Sequence, residues 1–212
     1  MNPIPLGIHT ITHKHTNMYM VGNGDKYILF DCLWHDSFPI IKSFLEEHGI
    51  IFAQIAGIFV SHFHPDHAGT FEPLRQHGVM PMILEWQIPH IEWLNNFFSK
   101  TKNDPNDQYV PINIQTLTPI TPYRTKEILN SCGIDGKVLR TPGHSADGIS
   151  LIAGGVVFVG DLPRFEAAAA YGGEVEANWR EIFLYNITKI YYAHGNTPEE
   201  IAVITERKRS EI

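Results

Sequence analysis

The chain has 212 residues, 43% of them apolar and 11% aromatic, which suits one large domain with a full core and excludes a disordered chain. Its formal net charge of −7 argues against a nucleic-acid partner, which would call for a basic face. Two cysteines, Cys32 and Cys132, cannot build a disulfide framework. No apolar run approaches the roughly 20 residues of a membrane span, and Met1-Asn2-Pro3-Ile4-Pro5 has no leader character, so a cytoplasmic protein is expected.

Residues 6–12 and 16–22 read as short strands, and residues 26–31 as a third after the turn Gly22-Asn23-Gly24-Asp25. His9, His13 and His15 have no carboxylate close in sequence and are taken as strand histidines rather than ligands. Phe38, Ile41, Phe44 and Leu45 recur at helical spacing before Gly49, which predicts a helix over 36–48. The apolar run 55–60 predicts a buried strand, 70–77 a short helix stopped by Gly78, and 79–84 a further strand. Trp86, Ile88, Ile91, Leu94, Phe97 and Phe98 mark an aromatic helix over 85–100; its spacing favours core packing, with a lid that sets substrate choice as the sharper alternative. Residues 102–108 form a polar loop, 124–130 a helix, 137–140 a strand, 148–153 with 156–159 a hairpin across Gly154-Gly155, and 190–193 a last strand. Such alternation predicts sheets covered by helices.

The chemistry concentrates in Ser61-His62-Phe63-His64-Pro65-Asp66-His67-Ala68-Gly69, at the end of the 55–60 strand. In an extended backbone residues two apart face the same way, so His62 and His64 can address one point. Pro65 then bends the chain and lets Asp66 and His67 turn to a second point. Imidazoles with a carboxylate suit zinc, with iron or manganese as substitutes. Three more ligand-type residues follow at predicted strand ends beside glycine: His144 in Thr141-Pro142-Gly143-His144-Ser145, Asp161 after Gly160, and His194 before Gly195.

The order His-x-His-x-Asp-His, then Gly-His, then Asp after an apolar strand, then a final His resembles the metallo-β-lactamase-fold superfamily, over about residues 8–198 with 85–130 unmatched. The resemblance implies an α/β (α+β) fold, a four-layer αββα sandwich of two mixed sheets flanked by helices. The whole chain, 1–212, would be one domain with 85–130 as a lid or insert. It implies that His62, His64 and His144 hold one divalent ion, that Asp66, His67 and His194 hold another, and that Asp161 bridges them. Asp31 would support the ligand loop from behind, although Leu33 stands where the family usually has glycine. Two ions, zinc first and iron or manganese second, would lower the pKa of a bridging water, and Asp66 would orient the resulting hydroxide and carry its proton.

The expected activity is hydrolysis of a small ester, lactone, thioester or phosphoester. No export leader or Cys at position 161 points to an antibiotic hydrolase, no helical C-terminal domain to a glyoxalase II-like thioesterase, and Arg164 stands near where the lactonases of the fold have Tyr. Arg164 is a candidate grip for a substrate carboxylate or phosphate, with a rim salt bridge as its alternative. Tyr171, before Gly172-Gly173, is a candidate hydrogen-bond donor. Two other classes stay open: an iron-dependent oxidoreductase of the persulfide dioxygenase kind, and a non-catalytic metal-binding protein. The partner expected is a small molecule, with neither nucleic acid nor membrane, and a homodimer is compatible with all of this.

Overall fold

The computed structural model describes residues 6–101 and 109–201; the loop predicted at 102–108 lies outside them. The chain opens with β1 (Gly7–His13), β2 (Thr16–Gly22) and β3 (Tyr27–Phe30), crosses over through α1 (Phe38–Glu47) and returns as β4 (Ile55–Phe59). The first two pairings are antiparallel, and β3–β4 is parallel because a helix carries the chain back across the sheet. Four helices follow: α2 (Pro65–Ala68), α3 (Phe71–Gln76), α4 (Ile88–Thr101) and α5 (Pro122–Ser131). The second sheet runs in order β5 (Gly136–Arg140), β6 (Ile149–Ala153), β7 (Val156–Phe158), β8 (Lys189–Tyr191) and β9 (Glu199–Glu200), with α6 (Ala168–Tyr171) and α7 (Gly173–Phe183) on the crossover to β8. The β7–β8 pair is parallel and the others antiparallel.

Alternate side chains of each strand serve different layers, as the pleat requires. Tyr19, Ile28, Phe30 and Phe59 of the first sheet share a core with Leu151, Phe158 and Tyr191 of the second. Met18, Met20, Leu29 and Ile58, on the opposite face, pack with Ile41 and Leu45 of α1 and with Ile91 and Leu94 of α4. Ile152, Val157 and Ile190 pack under Val175, Trp179 and Ile182 of α7. The layers are therefore helix, sheet, sheet, helix, as expected.

Two expectations need correction. Residues 79–84 have strand composition but form no strand: Ile58 N–H donates to Met80 O, Met82 N–H donates to Ile58 O and Ile120 N–H donates to Ile83 O, which leaves two isolated bridges, Ile58–Pro81 and Leu84–Ile120, each to a different partner. Residues 173–183, given no element from the sequence, form α7, with Gly172 at φ 96° separating it from α6 and with Val175, Trp179 and Ile182 at helical spacing.

Candidate metal centre

All seven ligand-type residues named above leave strand ends, turns or short helices at one edge of the sandwich. His62 and His64 follow β4, and Pro65, the first residue of α2, carries Asp66 and His67 into a single helical turn. His144 lies on the β5–β6 connection, Asp161 follows β7 and His194 follows β8. The β4 and β7 ends approach so closely that a Cβ at Gly160, which sits at φ 55°, would run into the Ser61 side chain, so glycine is required there.

The ligand atoms form three groups: His62, His64 and His144; His62, His67 and Asp161; and Asp66, His67 and His194. His64 Nδ1 stands 2.9 Å from His62 Nε2 and 3.2 Å from His144 Nε2. His194 Nε2 stands 3.2 Å from Asp66 Oδ2, and His67 Nε2 is 3.5 Å from the same oxygen. Asp161 faces both sets. Its Oδ2 is 3.5 Å from His144 Nε2 and 4.0 Å from His62 Nε2, whereas its Oδ1 is 3.1 Å from His194 Nε2 and 3.4 Å from His67 Nε2.

The far sides of the imidazoles are fixed by hydrogen bonds. His67 Nδ1 donates to Asp31 Oδ2 at 2.9 Å, and His194 Nδ1 donates to the His15 carbonyl at 3.0 Å. Both bonds leave Nε2 with a lone pair turned toward the centre when the ring is neutral. Ser61 gives its N–H to Asp31 Oδ1 (2.6 Å) and its hydroxyl proton to Asp31 Oδ2 (3.0 Å), so its oxygen can accept from His62 Nδ1, 3.0 Å away. Thr16 Oγ1 donates to Asp66 Oδ2 at 3.2 Å.

Electrostatically the site calls for positive charge. Burial opposes protonation of His67, but Asp31 and Asp161 outweigh it and push its pKa up to about 10. His194 is pushed up to about 11 by the carboxylates of Asp161 and Asp66 beside its Nε2. Burial would raise Asp161, yet His194 and His67 hold it far below the usual carboxylate range. His62 moves the other way, well below its ordinary value, through burial and the neighbouring His67. With the rings neutral and their protons on Nδ1, His67 Nε2 and Asp161 Oδ1 are buried with no hydrogen-bond partner, a state that is costly unless something else satisfies both atoms. A cation between an imidazole lone pair and a carboxylate oxygen would do so, and the donor set fits one.

Sequence reasoning missed Asp147, which is fully buried three residues after His144. Its Oδ2 accepts the N–H of Phe63, between His62 and His64, at 2.7 Å; its Oδ1 accepts the Ser145 hydroxyl and lies 3.5 Å from His90 Nδ1 on α4. One carboxylate thus ties two ligand loops and a helix together. Its place in the same turn as His144 was the available signal.

The remaining predicted residues fall as follows. Arg164 lines a cavity of about 210 Å³ with His144, Asp161, Tyr192 and His194, while its guanidinium pairs with Glu199 and lies 4.2 Å above the Tyr192 ring. The rim salt bridge is therefore present. Tyr171 is 63% exposed at the end of α6 and does not line that cavity. Cys32 and Cys132 are buried and unbridged. His9 packs among Tyr27, Phe44 and His48, and His13 Nδ1 is 2.8 Å from Ser37 Oγ, so neither joins the centre, while His15 contributes only its carbonyl.

An αββα sandwich with this histidine and aspartate edge defines a class, and the sequence agrees: the family model of the metallo-beta-lactamase superfamily matches residues 11–194, and the chain belongs to that superfamily. Among curated relatives, it is 26% identical over 206 residues to the probable metallo-hydrolase MJ0888 of Methanocaldococcus jannaschii, covering 88% of this chain and 91% of that one. It is 25% identical to a beta-lactamase-like protein 2 homolog of Drosophila melanogaster, covering 90% of this chain and 62% of that one. Among solved structures, the di-iron-bound form of TTHA1623 superposes with a TM-score of 0.66 at 19% identity, covering 94% and 96% of the two chains; it supports the fold.

Proposed function

We propose that the chain is a metal-dependent hydrolase acting on a small ester, lactone, thioester or phosphoester with two divalent ions. The reading rests on Asp161, whose two oxygens face separate histidine sets while one of them is buried without a partner. His62, His64 and His144 would hold one ion, Asp66, His67 and His194 the other, with Asp161 between them. Zinc suits this donor set, with iron or manganese as alternatives. When bound, such a pair supplies Lewis acidity and acidifies water toward neutral pH.

The chain's own residues do the rest. Asp31 and the His15 carbonyl fix the rings of His67 and His194, so the site is organised before substrate arrives. Asp66 keeps its carboxyl below the ordinary range: burial would raise it, but His194 and His67 prevail. It would orient the attacking water and take its proton. Arg164 would meet an anionic substrate group only in competition with Glu199. The small cavity suits a small molecule, and the charge of −7 supports a partner that is neither nucleic acid nor membrane. No helix among the described residues is long and apolar enough to cross a membrane, and a cytoplasmic location remains part of this proposal.

The test combines metal analysis with a panel of esters, lactones, thioesters and phosphodiesters on wild type and Asp66→Asn. We expect two ions per chain and a loss of about 10²–10⁴-fold in turnover for the variant, the range for a positioned acid or base. A fully loaded protein inert on every substrate would refute the hydrolase reading. One iron per chain with oxygen consumption would favour the oxidoreductase instead.

A further inference from the structure

We infer that Trp93 and Phe97 form an apolar platform beside the metal centre and that the substrate is an ester or thioester with an extended apolar acyl chain lying along it. This inference rests on the hydrolase reading and narrows its substrate class.

Single exposed apolar side chains are ordinary and need no explanation. Helix α4 departs from that in three ways. Its solvent-facing positions are otherwise polar or proline: Glu92, Asn96, Ser99 and Lys100 are exposed, as is Pro89 in the first turn. Only Trp93, 48% exposed, and Phe97, 37% exposed, break the pattern, and they stand four residues apart on one stripe. The two rings stack with centroids 5.6 Å apart and planes 26° from parallel, so they present one surface rather than two isolated patches. The stripe also begins at the centre, because the Trp93 ring lies 5.4 Å from the imidazole of His64.

The platform is held in place before any ligand arrives. Ile91, Leu94 and Phe98 anchor the opposite face of α4 in the core. Asn95 donates to the Ile112 carbonyl at 3.0 Å and accepts from Ile112 N–H at 2.9 Å and from the Tyr109 hydroxyl at 2.6 Å. His90 stands against Asp147, the carboxylate that also binds the ligand loop, so the helix and His64 share one support. A preorganised aromatic surface loses little entropy when a chain lies on it. Charge recognition does not suit this face, since none of its large side chains is cationic until Lys100.

In the reaction, water adds its oxygen to the acyl carbon and the bond from that carbon to the ester oxygen or thioester sulfur breaks. One proton of the water goes to the departing oxygen or sulfur, and the acyl group leaves as a carboxylate with release of the second proton. The acyl carbon would sit at the centre with its chain directed over His64 and Trp93.

The experiment measures kcat/KM for a series of acyl thioesters from acetyl to hexanoyl with zinc-loaded wild type, Trp93→Ala, Trp93→Phe and Phe97→Ala, with metal content determined for each. On a half-open surface we expect roughly a two-fold gain per methylene, about 16-fold across the series. Trp93→Ala should flatten that slope at unchanged metal content, Trp93→Phe should keep most of it, and Phe97→Ala should shorten the range over which it holds. A wild-type slope of zero, or an equal slope in Trp93→Ala, overturns the inference while leaving the hydrolase reading intact. If no thioester turns over, titration calorimetry with acetate, hexanoate and octanoate decides: tighter binding of the longer acids that disappears in Trp93→Ala supports the platform, and binding independent of length refutes it.

Discussion

The two sheets are built to one plan and contribute to the centre in opposite ways. Each has antiparallel pairings followed by a helical crossover to a parallel strand, β3–α1–β4 in the first and β7–α6–α7–β8 in the second. In both, the strand before the crossover is followed within three residues by an aspartate, Asp31 or Asp161, and the strand after it leads to histidine. The first half then places four ligand-type residues within six positions, whereas the second supplies His144, Asp161 and His194 from three separate connections. Asp31 and Asp161 have also diverged: Asp31 is fully buried behind His67, and Asp161 faces into the centre. The same topological position can therefore hold a ligand from behind or serve as one, depending on which way the turn aims it.

The largest effect should come from the half whose ligands are dispersed. Among the described residues Asp161 is the one carboxylate that faces both histidine sets, so Asp161→Asn should weaken both ions by more than about 100-fold, beyond the range for a group that only supports a ligand. Equilibrium dialysis against buffered zinc checks this. Retention of one ion at wild-type affinity would break the assignment of Asp161 as the shared group.

Asp31, its counterpart, bonds His67 directly and reaches His62 only through Ser61, so Asp31→Asn should weaken the ion held by His67 by about 10–100-fold and the other ion less. It also predicts a pH effect in protein stripped of metal. Because the folded pKa of His67 is raised to about 10 from an ordinary 6.5, its contribution to stability is complete below pH 6.5 and is lost as pH rises through about 10. Urea denaturation of chelator-treated protein between pH 6.5 and 10 should show that decline, and Asp31→Asn should reduce its slope. Zinc, which replaces the proton, should reduce it too. An identical decline in wild type and variant would sink this account.

The contrast between halves also explains what was legible. The first cluster could be read directly because strand alternation and one proline bring close residues to neighbouring points. The second set could be read only as a pattern, since each histidine or aspartate beside glycine looks like an ordinary turn until the fold brings it to the edge. Asp147 was missed because its partner, the Phe63 N–H, is 84 positions away and is a backbone group with no sequence signature. The strand predicted at 79–84 failed because composition does not show pairing: the segment makes one bridge to Ile58 and another to Ile120. The 85–100 helix packs Ile91, Leu94 and Phe98 into the core, as its spacing predicted, and brings Trp93 beside His64.

The effect that should leave the metal centre least changed concerns the turns that follow β3 and β7. After β7 the left-handed position is filled by Gly160, at φ 55°. After β3 it is filled by Asp31 and Leu33, at φ 66° and 63°, where non-glycine residues carry strain of about 1–2 kcal/mol each. Leu33 nonetheless keeps the turn: its carbonyl accepts Gly69 N–H at 2.9 Å, and its side chain is fully buried in the cluster beneath α1 and α4. Leu33→Gly would relieve the backbone but forfeit a core leucine, worth roughly 2–5 kcal/mol, and add the freedom of glycine to the unfolded chain. The packing term wins, so the variant should be less stable by about 2–4 kcal/mol in urea denaturation and should still bind two ions. A variant as stable as wild type would mean that the backbone strain is larger than the buried side chain offsets.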